Sequence, residues 1–118
     1  MYNHIGLNVR DIGASVRFYE AALGALGHRV RSRDAAGASF GPASGASLYV
    51  SPGKPGAGVH LAFIAPDRAA VERFYAGGLD AGGRDNGPPG VRADYGPTYY
   101  AAFLLDPDGN NIEAVCLH

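Results

Sequence analysis

Apolar and polar residues alternate over the first ten positions, and the spacing becomes helical after Asp11. Ile5, Leu7 and Val9 share one face, which predicts a strand with one side in the core. Asp11 is a typical helix N-cap, and apolar residues then recur every three or four positions up to Gly27. The residues of this stripe are Ile12, Val16, Tyr19, Leu23 and Leu26. The chain therefore begins with a strand followed by an amphipathic helix.

Short strands broken by glycine-rich turns are predicted from His28 to Val50, and the opening pattern then restarts. Residues 59–65 alternate like the first strand, and Pro66-Asp67 opens a second helix that ends at Gly82-Gly83. Two further strands, 99–105 and 111–117, flank the turn Asp106-Pro107-Asp108-Gly109-Asn110. The segment 84–98 is rich in turns and has no clear assignment.

The restart is an internal repeat with an offset of 56 residues. The matching positions are His4 and His60, Asp11 and Asp67, Arg17-Phe18-Tyr19 and Arg73-Phe74-Tyr75, Leu23 and Leu79, and Gly27 and Gly83. We expect an α+β fold in which two βαβββ modules form an open, barrel-like mixed sheet around a shared cleft. The chain is predicted to be a single domain, 1–118, with module one at about 1–53 and module two at about 57–118.

Composition narrows the function classes. The 118 residues are 47% hydrophobic and carry a net charge of −1, which excludes a disordered chain and gives no basic surface for nucleic acid or membranes. The single cysteine, Cys116, excludes an internal disulfide and fits a reducing compartment, so a cytoplasmic location is expected.

Two histidines and one glutamate are candidate metal ligands. His4 and His60 occupy equivalent, non-core faces of the first strand of each module, and these faces are expected to meet in the cleft. Glu113 lies on the corresponding face of the last strand. Two imidazoles and one carboxylate suit divalent Fe, Mn, Ni or Zn and leave coordination positions open. The residue types do not choose among these metals.

Tyrosines stand beside this predicted site. Tyr49 follows Gly45 by four residues, as Glu113 follows Gly109, so it occupies the place of a second carboxylate and is a candidate hydrogen-bond donor to substrate. Tyr99 and Tyr100 alternate, so only one of them can face the cleft. Arg92 and Asp94 are expected at the solvated surface, with a position at the mouth of the cleft as the alternative, and His28 is interpreted as structural.

The sequence resembles the vicinal oxygen chelate superfamily, which includes glyoxalases, bleomycin resistance proteins and extradiol dioxygenases. The resemblance covers essentially the whole chain. It is carried by His4-Ile5-Gly6-Leu7-Asn8-Val9, by Asp11 with Ser15-Val16-Arg17-Phe18-Tyr19, by His60-Leu61-Ala62-Phe63, and by the ending Phe103 to Glu113. It implies paired βαβββ modules, a metal bound on the cleft strands, and a homodimer. The family's His, His and Glu ligand positions match His4, His60 and Glu113.

The resemblance leaves two function classes open. The first is a divalent-metal-dependent enzyme, of lyase, isomerase or ring-cleaving type, that acts on a small metal-chelating substrate. Its candidate catalytic residues are Glu113, Tyr49 and Tyr99. The second is a metal-free protein that binds a small molecule or antibiotic, like the bleomycin resistance proteins. Glyoxalase I enzymes have a carboxylate or similar ligand where Tyr49 stands, and extradiol dioxygenases have a further histidine that residues 29–59 lack.

Overall fold

Each half of the chain forms a strand, a helix and then further strands. The computed structural model describes all 118 residues. The first half comprises β1 (His4–Val9), α1 (Ile12–Gly24), β2 (Arg29–Asp34), β3 (Gly37–Gly41) and β4 (Ser47–Pro52). The second comprises β5 (His60–Ile64), α2 (Arg68–Asp80), β6 (Arg84–Asp85), β7 (Gly90–Val91), β8 (Tyr100–Leu105) and β9 (Asn111–Cys116).

The strands form two mixed sheets with the same topology. The first has the order β1-β4-β3-β2, and the second has β5-β9-β8-β6, with β7 also paired to β8. In each sheet the opening strand runs parallel to the closing strand, and the remaining pairs are antiparallel. The sheets are curved and are not closed into a barrel. The predicted α+β class and open architecture are confirmed.

One hydrophobic core joins both halves. The side chains of Asp11 and Asp67 cap α1 and α2 by accepting hydrogen bonds from the backbone three residues later, as predicted for Asp11. The helices pack on each other through Phe18, which lies against Gly78 and Gly83. A Cβ at Gly83 would lie 2.5 Å from the Phe18 ring, so only glycine permits this approach.

A buried carboxylate in the β8–β9 turn ties the second half to α1. The Asp106 side chain accepts hydrogen bonds from the Tyr19 hydroxyl at 2.5 Å and the Asn110 amide at 2.8 Å. The backbone N–H groups of Asp108 and Asn110 donate to its other oxygen. All of its acceptor sites are therefore used inside the core, as a buried carboxylate requires.

The turn-rich segment 84–98, which the pattern left unassigned, contributes two short strands to the edge of the second sheet. Each is only two residues long, and so short a strand leaves no alternation to detect in sequence. Neither helix is long and apolar enough to cross a membrane.

We expect Tyr19→Phe to lower the free energy of unfolding by about 1–3 kcal/mol, because Asp106 loses one donor inside the core. Tyr75 is the matched control, since it occupies the same place in the repeat but bonds Asp85 at the surface. Tyr75→Phe should cost less than about 0.5 kcal/mol. Urea denaturation followed by circular dichroism measures both, and equal losses would contradict the assigned role of Asp106.

Tyr19 also makes the free energy of unfolding depend on pH in the alkaline range. Burial, reinforced by the charge of Asp106, raises the pKa of Tyr19 far above its usual value of 10.0. The unfolded chain releases this proton near pH 10 and the folded chain does not, so the free energy of unfolding falls as pH rises past that value. Urea midpoints between pH 8 and pH 11 should fall less steeply in Tyr19→Phe than in the wild type.

Candidate functional site

The helices cover one face of each sheet and leave the other face open. On β5 the open face carries His60, Ala62 and Ile64, while Leu61 and Phe63 point towards the core. The register pairs Ala62 with Glu113 on β9, so the glutamate side chain lies on the same face as His60. The alternation in both strands thus brings an imidazole and a carboxylate together.

Glu113 is the best-anchored polar side chain on this face. It is 2% exposed, and its two carboxylate oxygens have different partners. Oε1 lies 2.8 Å from Nε2 of His60, and Oε2 accepts a hydrogen bond of 2.5 Å from the Tyr99 hydroxyl. The His60 ring is half exposed, so it connects the buried carboxylate to solvent.

Tyr99 is a hydrogen-bond donor at this site. Its burial, together with the hydrogen bond to the Glu113 carboxylate, raises the pKa of Tyr99 to about 12. The hydroxyl therefore keeps its proton at neutral pH. Tyr100 points the other way and donates to Glu72 of α2, which answers the question that alternation left open about this pair.

His60, Tyr99 and Glu113 line an open pocket of about 570 Å³. Its other walls are Phe103, Tyr95 and Asp94. The Tyr95 and Tyr99 rings meet edge to face with centroids 5.2 Å apart. The pocket thus has one carboxylate–imidazole pair at its base and three aromatic rings around it, which suits a small planar ligand.

Arg92 does not itself line the pocket, but it packs against Phe103, which forms one of the pocket walls. Its guanidinium carbon lies 5.3 Å from the centre of the Phe103 ring, and Phe103 pairs with Glu113 across the sheet. Two backbone carbonyls, of Pro88 and Gly90, accept hydrogen bonds from it. Asp94 is exposed and lies on the pocket wall, whereas Arg92 adjoins the pocket only through its contact with Phe103.

The structure leaves the other two predicted residues, His4 and Tyr49, in the first sheet. His4 is exposed and bonds only the neighbouring Asn3 side chain. Tyr49 lies opposite Gly6, as Glu113 lies opposite Ala62, so the predicted equivalence of these two positions holds in the backbone. Within one chain no group of three or more His, Cys, Asp or Glu side chains is arranged around a metal position.

A separate cavity of about 190 Å³ lies between the modules. Its walls are mainly apolar and include Phe40, Leu61 and Phe63. His28 lines it, but no carboxylate does. The cavity therefore has no carboxylate–imidazole pair like that of Glu113 and His60.

Sequence reasoning passed over Phe103 as a pocket residue, although a signal was present. Phe103 and Glu113 each lie five residues from Asp108, the centre of the hairpin turn. Residues placed symmetrically about a hairpin turn face each other, so the pairing was readable once the turn was located.

Comparison with known proteins places the chain in a family. The model of the glyoxalase/bleomycin resistance protein/dioxygenase superfamily matches residues 2–114. The chain belongs to this superfamily, as the sequence motifs predicted. No curated protein is similar enough in sequence to count as a match.

Solved structures agree with this placement. A glyoxalase/bleomycin resistance protein from Albidiferax ferrireducens T118 is 30% identical, with a TM-score of 0.84 and 98% of both chains covered. A glyoxalase-related enzyme from Fulvimarina pelagi is 20% identical, with a TM-score of 0.78 over 98% of this chain and 87% of that one. The oxidase ChaP-H2 is 20% identical, with a TM-score of 0.71 over 98% and 92%. The last two share the fold.

Tyr99→Phe should lower the free energy of unfolding by about 1–3 kcal/mol, because the buried Glu113 carboxylate loses the hydrogen-bond donor to its Oε2 atom. The Tyr95 hydroxyl belongs to a side chain that is 68% exposed, so Tyr95→Phe is the control and should cost less than about 0.5 kcal/mol. Chemical denaturation at pH 7 measures both. Indistinguishable curves for wild type and Tyr99→Phe would contradict the hydrogen bond.

Proposed function

We propose that this protein is a divalent-metal-dependent enzyme that acts on a small, metal-chelating substrate, by a lyase, isomerase or ring-cleaving reaction. The observation that carries the proposal is the Glu113 carboxylate, which is buried, doubly hydrogen-bonded and yet placed at the base of an open pocket. A carboxylate held in this way is available for chemistry and unavailable to bulk solvent.

The residues present fit a divalent metal. His60 Nε2 and Glu113 Oε1 are both metal-ligand atoms, and they lie next to each other. His4 is the proposed third ligand, and Fe, Mn, Ni and Zn all accept this donor set. When bound, such a metal supplies Lewis-acid polarisation of substrate oxygens.

A second copy of the chain is the proposed source of the third ligand. His4 lies in the first sheet and does not meet the pair in its own chain. The open face of the second sheet also exposes Ile64, at 75%, and the adjoining loop exposes Tyr95. A two-fold homodimer that seats module one of one copy over module two of the other would cover these side chains and form two equivalent sites.

The chain's own residues have distinct roles in this scheme. Tyr99 fixes the Glu113 carboxylate and, being protonated, donates rather than accepts a proton. Glu113 is the candidate general base, and Tyr49 is the candidate donor to substrate from the facing module. We propose further that 1–118 is one domain, with modules at about 1–53 and 57–118, and that it acts in the cytoplasm.

A metal-free binding protein for a small molecule or antibiotic is the alternative. Two observations favour it: the aromatic walls of the pocket, and the direct hydrogen bond between His60 Nε2 and Glu113 Oε1, which gives both atoms a partner without a metal. This alternative predicts stoichiometric binding, no turnover and no metal.

Metal content separates the two functions. Elemental mass spectrometry of tag-free protein should find about one transition metal per chain, and His4→Ala, His60→Ala and Glu113→Ala should each lose it. His28→Ala is the control and should keep the metal, since His28 lines the other cavity. A wild-type protein that neither carries nor takes up Fe, Mn, Ni or Zn would favour the binding protein instead.

Subunit complementation tests the shared site. His4→Ala and the double variant His60→Ala/Glu113→Ala should each bind no metal alone. Co-expressed and purified as a heterodimer, they should regain about half an equivalent per chain, because one of the two sites is then intact. Recovery of no metal in a verified heterodimer would contradict the dimeric site.

A further inference from the structure

Arg92 is held in place more firmly than an ordinary surface arginine. Its terminal nitrogens donate to the carbonyls of Gly90 at 2.9 Å and Pro88 at 2.6 Å, and its guanidinium lies over the Phe103 ring. Gly87 and Gly90 make room for it, because a Cβ on either would come within 3.2 Å of a guanidinium nitrogen. The position of this cation is thus fixed by the loop around it.

Its charge has no partner in the protein. The ion pairs of the chain are Arg10 with Asp108 and His60 with Glu113, and Arg92 takes part in neither. A guanidinium has five N–H donors, and the two carbonyls use two of them. This half-buried arginine therefore keeps three donors and a full positive charge next to Phe103, a wall of the pocket.

Phe103 connects this cation to the proposed reaction centre. Its ring contacts the guanidinium on one side and lies 6.2 Å from the His60 ring, centre to centre. A ligand bound along Phe103 would therefore reach the His60–Glu113 pair with one end and Arg92 with the other. Two carboxylates on the pocket wall would oppose an anion: the exposed Asp94, and Glu113, which is paired with His60.

We propose that Arg92 is a specificity-determining residue, which selects planar substrates that carry a carboxylate at the end opposite their metal-chelating oxygens. This inference takes one premise from the proposed function, namely that the substrate binds in this pocket. A guanidinium binds a carboxylate through paired N–H donors, and the fixed side chain loses little freedom on binding. The substrate class is therefore an anionic aromatic compound with neighbouring oxygens.

A matched pair of ligands tests the assignment. The probes are 3,4-dihydroxybenzoate and the neutral 3,4-dihydroxybenzamide, which differ only in charge at the end opposite the two hydroxyls. Isothermal titration calorimetry on the wild-type protein should give at least about tenfold tighter binding of the benzoate, the range of one charge-assisted hydrogen bond. Equal affinities, or no binding of the benzoate below about 1 mM, would overturn the proposal.

Variants assign the preference to Arg92. Arg92→Gln should reduce the ratio of benzoate to benzamide affinity to less than about twofold, because the positive charge is lost. Arg68→Gln is the control: Arg68 also lies over an aromatic ring, that of Tyr100, but on the helix side of the same strand, and this variant should keep the wild-type ratio. An unchanged ratio in Arg92→Gln would show that Arg92 only ties its loop.

Two additions keep the outcome interpretable. If Arg92→Gln unfolds, Arg92→Lys replaces it, because lysine retains the charge but lacks the paired N–H donors of a guanidinium. Its ratio of benzoate to benzamide affinity should lie between the wild-type ratio and one. A wild-type ratio in this variant would overturn the role of the paired donors. Repeating the titrations after chelation separates the two proposals. The preference for the benzoate over the benzamide should persist without metal, and this result concerns Arg92. A fall in the affinity for both ligands after chelation is expected from the proposed metal centre, and its absence would count against the proposed function and not against Arg92.

Discussion

The geometry of the site depends on a buried aspartate that lies outside it. Asp106 accepts hydrogen bonds from Tyr19 of the first helix and from Asn110 of its own turn. Asn110 in turn accepts from the Val59 backbone, which fixes where β5 begins beside β9. That register sets His60 opposite Asn111 and Ala62 opposite Glu113, and so allows the imidazole to reach the carboxylate. A slip by one residue would turn His60 towards the core, because side chains alternate between the faces of a strand.

The same alternation gives the two faces of the second sheet different tasks. Core-facing residues of β9 belong to the hydrophobic core, and those of β5 pack against it. The open face carries the His60–Glu113 pair, and the segment between α2 and β8 supplies Tyr95 to the pocket and places Arg92 over Phe103. The proposed metal-binding pair thus lies on two neighbouring strands, while the residues proposed to recognise the substrate come from a loop, a division of roles that lets specificity vary without loss of the scaffold.

The repeat and the alternation of apolar residues were sufficient to predict the fold class, both helices and the Asp11 cap, and the motifs that carry His4, His60 and Glu113 indicated the superfamily. They also indicated that His60 and Glu113 share a face, since period-two alternation determines faces directly. They did not reveal the position of Arg92, because a side chain in an irregular segment is placed by tertiary contacts such as that with Phe103. Nor did they show that His4 lies apart from His60 and Glu113, in the other sheet. Which sheet faces face each other depends on how the two modules pack in three dimensions, and alternation within a strand carries no information on that.

The central claim is that Glu113 and His60 form part of a metal centre that a second subunit completes. Diffraction data collected on either side of the zinc absorption edge, from crystals grown with zinc, test it most directly. The account predicts one strong anomalous peak in contact with His60, Glu113 and His4 of the second subunit. A pocket without a peak, with the His60–Glu113 hydrogen bond intact and zinc bound only at other surface sites, would contradict it.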